Sequence, residues 1–149
     1  MVVDVVPMRP EHIDALMPYE REMFGSEAWT ADGYRDELAD SRHRYYLAAV
    51  DEGGALLGWA GIRIVADTAE VLTVGVIPGA RRQGIGARLL AMLLDEARRR
   101  DVTDAVLEVR VDNTAALKMY ERSRFIWVGV RSGYYDGGRI DAVIMRRAL

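Results

Sequence analysis

The 149-residue chain has no cysteine, which excludes disulfides, thiolate nucleophiles and zinc sites built on cysteine. It has two histidines, His12 and His43, both in the first third of the chain and neither in a metal-ligand spacing such as H-E-x-x-H, so no metal site is expected. Positive charge is not in excess: the formal net charge is -3, which gives no global attraction to nucleic acid or to an anionic membrane, although Arg98-Arg99-Arg100 makes a local basic run. The opening "MVVDVVPMRP" lacks a basic leader, is interrupted by Asp4 and is too short for a signal h-region, so the chain reads as cytoplasmic. Repeats, low-complexity tracts and linker-like stretches are absent as well, so residues 1–149 are expected to form a single domain.

What is present is a chain half apolar and 29% charged, long enough to bury a core without staples. Val2–Val6 reads as a strand stopped by Pro7 and Pro10. Ile13, Leu16 and Met17 then fall at helical spacing, in a helix that Pro18 should shorten or kink. "TADGYRDELAD" suggests a second helix with Tyr34 and Leu38 on one side. Tyr45–Val50 and Leu56–Val65 read as a hairpin around "DEGGA", followed by a strand over Glu70–Ile77. Ile85, Leu89, Leu90, Leu93, Leu94 and Ala97 form a stripe that packs one helix face on a sheet. "DAVLEVRV" is a strand, Asn113 can cap a helix reaching Tyr120 and Glu121, and Phe125–Val130 and Asp141–Arg146 supply two last strands. About seven strands with about four interspersed helices predict an α/β or α+β fold with a mixed sheet.

The seam "VGVIPGARRQGIGARLL" carries the chemistry. Gly79 and Gly84 match the glycine spacing of the P-loop, but Ile85-Gly86 stand where Lys and Ser or Thr are required; the dinucleotide pattern fails at Leu89. The turn is then either a flexible connection with solvated arginines or an anion cradle. In the second case a pyrophosphate would meet the N–H groups at a helix start together with a guanidinium. Glu108 interrupts the apolar strand "AVLEVRV" on the face of Val106 and Arg110. It reads as one half of an ion pair, with Arg110 or with a cross-strand base, or as a functional carboxylate. Tyr120 shares a helix face with Ala116 and Leu117 and is by itself a core tyrosine. Gly75 marks either a bulge or a close approach of a ligand.

R-x-x-G-x-G at Arg81, Gly84 and Gly86, between a strand and an amphipathic helix, resembles the acetyl-coenzyme A motif of the GNAT superfamily of N-acetyltransferases. "EAWTADGYRDEL", "LEVRVDNTAALKMYERSRF" and "RSGYYDGGRIDAVIMRRAL" extend the resemblance over nearly the whole chain, toward the RimI-type ribosomal-protein-alanine N-acetyltransferases. Arg124 and Gly133 depart from it, standing where glycine and asparagine are expected. The resemblance implies a mostly antiparallel sheet splayed between strands 4 and 5. Acetyl-coenzyme A would lie there, with its pantetheine on the backbone of Val74 and Val76, its pyrophosphate on Arg81, Arg82, Gln83, Gly84, Ile85 and Gly86, and a further contact from Asn113. It implies Glu108 as general base, Tyr120 as general acid, and Tyr134 and Tyr135, in a link between the last two strands, as contacts to the acceptor. The implied reaction is direct transfer to the N-terminal α-amine of a protein, with an alanine-starting ribosomal protein favoured and with no metal, nucleic acid or membrane partner. A small-molecule amine acetyltransferase and a non-catalytic acyl-coenzyme A sensor are the alternatives that share the same cofactor site.

Overall fold

Side-chain periodicity decides which side of the sheet each helix covers. A computed structural model describes residues 2–149, with strands β1 (Asp4–Pro7), β2 (Arg44–Val50), β3 (Leu56–Val65), β4 (Thr68–Val76), β5 (Asp104–Arg110), β6 (Ile126–Tyr135) and β7 (Ile140–Ala148). The helices are α1 (Pro10–Phe24), α2 (Ala31–Ala39), α3 (Ile85–Arg99) and α4 (Thr114–Arg122). The strands form one sheet in the order β1-β2-β3-β4-β5-β7-β6, in which β4 and β5 are parallel and every other pair is antiparallel. The alternation of β2 sends Leu47 and Ala49 to the side covered by α3, and Tyr46 and Ala48 to the side covered by α1 and α2. On α3 the apolar stripe from Ile85 to Ala97 is buried as its spacing predicts, and each fully buried leucine contributes about 2 kcal/mol.

The parallel pair is short. β4 and β5 are in register from Thr68 opposite Asp104 to Val71 opposite Leu107, and no farther. The extra residue Leu72 bulges β4 against β3 at this point, and from there the two strands diverge. The splay expected between strands 4 and 5 is therefore present, and the site is built in its mouth.

Several local expectations need correction. α1 is not shortened by Pro18; it continues to Phe24, because Ile13, Leu16, Met17 and Glu20 bury one face on both sides of the proline. His12 is a cap residue: its Nδ1 accepts from the Arg9 N–H at 2.9 Å. Tyr134 and Tyr135 do not lie in a connecting loop. β6 runs through both, and Tyr135 still pairs with Ile140, because Gly133 at φ +62° absorbs the irregularity between Arg131 and Tyr135. Gly75 is neither a bulge nor open to a ligand on its Cβ side. A Cβ there would lie 2.6 Å from Cζ2 of Trp59, whose ring occupies that space.

Candidate active site

The divergence of β4 and β5 leaves half of the β4 edge unpaired. The Ile77 N–H donates to the Leu57 carbonyl across β3 at 2.9 Å, so strand alternation turns the backbone groups of Val74 and Val76 away from β3 and into the gap. The Val76 carbonyl is met there by Nε of Arg81 at 3.3 Å. Below them Gly86, buried at the start of α3, faces Val74, Val76 and Met119; a Cβ at this position would come 3.0 Å from the Met119 sulfur. The seam itself is shaped by two left-handed residues, Arg82 at φ 64° and Gly84 at φ 73°, and Gly84 is the N-cap of α3. Residues 81–84 are exposed. Two exposed arginines, Arg81 and Arg82, thus immediately precede the free N–H groups of the first turn of α3. That arrangement fits a diphosphate, and the open β4 edge fits the amide-bearing arm of coenzyme A.

On the α1/α2 side of the splay lies a cavity of about 970 Å³, and Val74, Glu108, Asn113, Tyr120, Tyr134 and Tyr135 all line it. Six of the residues singled out from the sequence thus meet at one place. Arg81 to Gly86 are not part of this lining. β5 delivers Glu108, whose carboxylate is partly buried and lies 3.1 Å from the Arg131 guanidinium. The ion-pair reading of this glutamate holds with a base from another strand rather than with Arg110: Arg131 comes from β6, beyond β7. The Glu108 carboxylate beside the Tyr134 phenol, with partial burial, holds the phenol's pKa above its usual value. Tyr135 is pushed up to about 12 by burial and by its neighbours Tyr134 and Glu108.

α4 delivers Tyr120. Its N-cap Asn113 accepts from the Ala116 N–H at 3.2 Å, so the capping role of that residue is observed directly. Tyr120 is buried and packs edge-on to Phe125, with ring centroids 5.9 Å apart. Burial, reinforced by Tyr135, pushes its pKa up, so the phenol stays protonated. The core reading of Tyr120 holds for its ring, and the residue also lines the cavity.

Two arrangements at the site were not read from the sequence. Glu20 of α1 is buried; Tyr34 donates to it, the Trp29 N–H donates to it at 3.1 Å, and Trp59 Nε1 donates to Tyr34 at 3.1 Å. Burial raises the pKa of Glu20 against the pull of these donors. The signal was available, since Glu20 follows Ile13, Leu16 and Met17 at the same helical spacing and so places a charge on the apolar stripe. The second is the ion cluster around Arg110, whose partners Glu27 and Asp136 lie 83 and 26 residues away in the chain and carry no local signal.

A sheet opened beside a glycine-started helix, with a carboxylate and a phenol on the wall of the opening, is the arrangement of an acyl-coenzyme A-dependent transferase. Residues 11–125 match the family model described as acetyltransferase (GNAT) family. The chain belongs to the GNAT family and is an acetyltransferase. It is 44% identical over 133 residues to the N-alpha-acetyltransferase RimI of Mycobacterium tuberculosis, covering 86% of this chain and 81% of that one. It is 38% identical over 104 residues to the [ribosomal protein bS18]-alanine N-acetyltransferase of Escherichia coli K12, covering 68% and 70% of the two chains. The crystal structure of the ribosomal-protein-S18-alanine N-acetyltransferase from Escherichia coli superposes with a TM-score of 0.85 at 26% identity, over 99% of this chain and 94% of that one.

Proposed function

We propose that the protein transfers an acetyl group from acetyl-coenzyme A to the N-terminal α-amine of a protein in the cytoplasm, with alanine-starting ribosomal proteins as the leading substrate class. The observation that carries this reading is the convergence of Glu108, Tyr120, Tyr134 and Tyr135 on one cavity at the splay, with relatives of that named activity supporting the choice of amine. Among the described residues no helix is long and apolar enough to cross a membrane.

Acetyl-coenzyme A is the donor substrate. Arg81, Arg82 and the N–H groups from Gln83 to Gly86 hold its pyrophosphate end, while the backbone of Val74 and Val76 orients the arm that carries the thioester. The acceptor amine enters from the α1/α2 side, between Glu108 and the Tyr134-Tyr135 wall. An α-ammonium has a pKa of about 8, so its deprotonation near neutral pH costs about 1–2 kcal/mol, and Glu108 needs placement more than basicity. The free amine attacks the thioester carbonyl, and the Val76 N–H, turned into the gap, is placed to donate to the developing oxyanion. Tyr120 then donates its proton to the leaving thiolate; burial keeps the phenol protonated, so the proton is present at neutral pH.

Direct attack requires both substrates to be bound together. Initial rates measured across a grid of acetyl-coenzyme A and acceptor-peptide concentrations should give intersecting double-reciprocal lines. Parallel lines would mean an acetylated enzyme and would remove this mechanism.

A further inference from the structure

Arg110 is the center of an ion cluster that joins three separated segments. Its Nε and Nη2 form a bidentate pair with Asp112, both at 3.0 Å, just beyond the end of β5. Nη1 donates to Glu27 at 3.1 Å, in the short turn Gly25–Glu27 between α1 and α2. Nη2 also reaches Asp136 at 3.0 Å, in the turn Asp136–Gly138 between β6 and β7. The guanidinium carbon lies 5.5 Å from the center of the Tyr135 ring. Asp112 and Asp136 raise the pKa of Arg110, which therefore stays charged, and Arg110 holds both carboxyls below their ordinary values. Arg110, Glu27 and Asp112 line the same cavity as Glu108 and Tyr120, as does Tyr135, next to the Asp136–Gly138 turn.

We propose that Arg110 is a positioning residue for the acceptor: it straps the α1–α2 turn to the β6–β7 turn across the acceptor slot and so fixes the slot width and the Tyr134-Tyr135 wall. This inference rests on reading the cavity as the acceptor slot. A single planar fork serving three carboxylates and one aromatic face is a task that arginine's geometry permits and lysine's point charge does not. Arg110 is the shared partner of both turns, one of which belongs to the helical layer and the other to the far edge of the sheet. Released from Arg110, they would move independently, and the acceptor would meet a wider and less ordered slot. The donor end is untouched, because Arg81 to Gly86 lie outside the strapped segments.

The test compares wild type with Arg110→Met, Arg110→Lys and Glu27→Gln by two measurements. The first is amide hydrogen exchange without acceptor. Arg110→Met should speed exchange in both Gly25–Glu27 and Asp136–Gly138, and Glu27→Gln, which removes one carboxylate from the cluster, should speed it in both turns to a smaller degree. The second is steady-state kinetics on a peptide beginning with Ala. Arg110→Met should raise the peptide KM about tenfold with the acetyl-coenzyme A KM changed less than about twofold, and Arg110→Lys should restore only part of the loss. Raising salt should increase the peptide KM of wild type and leave that of Arg110→Met flat, because the strap is partly exposed and screened. Unchanged exchange in both turns overturns the strap whatever the substrate proves to be. Faster exchange with an unchanged peptide KM overturns the positioning role. Absence of peptide acetylation by wild type, with faster exchange in the variants, keeps the strap and contradicts the choice of acceptor.

Discussion

Replacing Gly75 by alanine separates two roles for this glycine, space for a ligand and space for a core ring. The added Cβ would stand 2.6, 2.8 and 3.0 Å from Cζ2, Cε2 and Cη2 of Trp59, all inside normal contact distance. Trp59 cannot yield easily. It is fully buried, its indole N–H donates to Tyr34 at 3.1 Å, and Tyr34 is held in turn by the buried Glu20. Overpacking of this kind costs about 1–3 kcal/mol. Alanine recovers about 0.5–1 kcal/mol of the conformational entropy that glycine loses in a strand. The net destabilisation is about 1–2 kcal/mol, which for a chain of this size lowers Tm by about 2–8 °C. Differential scanning calorimetry reads this directly, and a Gly75→Ala, Trp59→Phe double-mutant cycle should show favourable coupling, since phenylalanine lacks the atoms in conflict. An unchanged Tm together with weakened acetyl-coenzyme A binding in Gly75→Ala would refute the packing argument and restore the ligand as the reason for the glycine.

Other changes have equally definite expectations. Arg81→Ala and Arg82→Ala should raise the acetyl-coenzyme A KM more than they lower kcat, because contacts remote from the thioester bind ground and transition states alike; unchanged KM in both at physiological salt would contradict the anion cradle. Tyr120→Phe should lower kcat about 100-fold while the Phe125 contact and the fold persist. Glu108→Gln should lower kcat by a similar order, with partial recovery as pH rises past about 8, where the amine is already free. A pH-rate profile that leaves the Glu108→Gln deficit constant would count against a base role. Arg124→Gly should stabilise the protein by about 1 kcal/mol, because Arg124 holds φ 69° at the C-terminal end of α4, where the Phe125 N–H closes on the Tyr120 carbonyl at 3.0 Å. Chemical denaturation measures that difference, and a lowered midpoint would mean that the arginine side chain contributes more than the strain it causes.

The course of α3 was legible because six apolar residues repeat at the helical period with charges outside the stripe, and the seam before it was legible because glycine and arginine there have few structural substitutes. Glu108 was conspicuous as a carboxylate within an apolar strand. Its partner was not, since Arg131 reaches it from two strands away and strand order is not written in local pattern. Gly133, Gly137 and Gly138 give the end of β6 the composition of a turn, whereas the strand passes Gly133 by an irregularity and resumes at Tyr135. α1 outlasted Pro18 because burial of its apolar face outweighs the lost backbone bond. Gly75 shows the same limit in another form: its neighbour Trp59 is set by β3–β4 register, a long-range fact that no residue spacing reports.

The central claim is that the amine accepted is a chain terminus. A lysine amine, with a pKa near 10.4, would demand about 3 kcal/mol more for deprotonation than an α-amine at the same carboxylate. The direct measurement is mass spectrometry of two peptides incubated with the protein and acetyl-coenzyme A, one beginning with a free alanine, the other its N-terminally blocked counterpart containing lysine. The account predicts acetylation of the first on its α-amine and near inertness of the second; equal acetylation of the blocked peptide on lysine would contradict it.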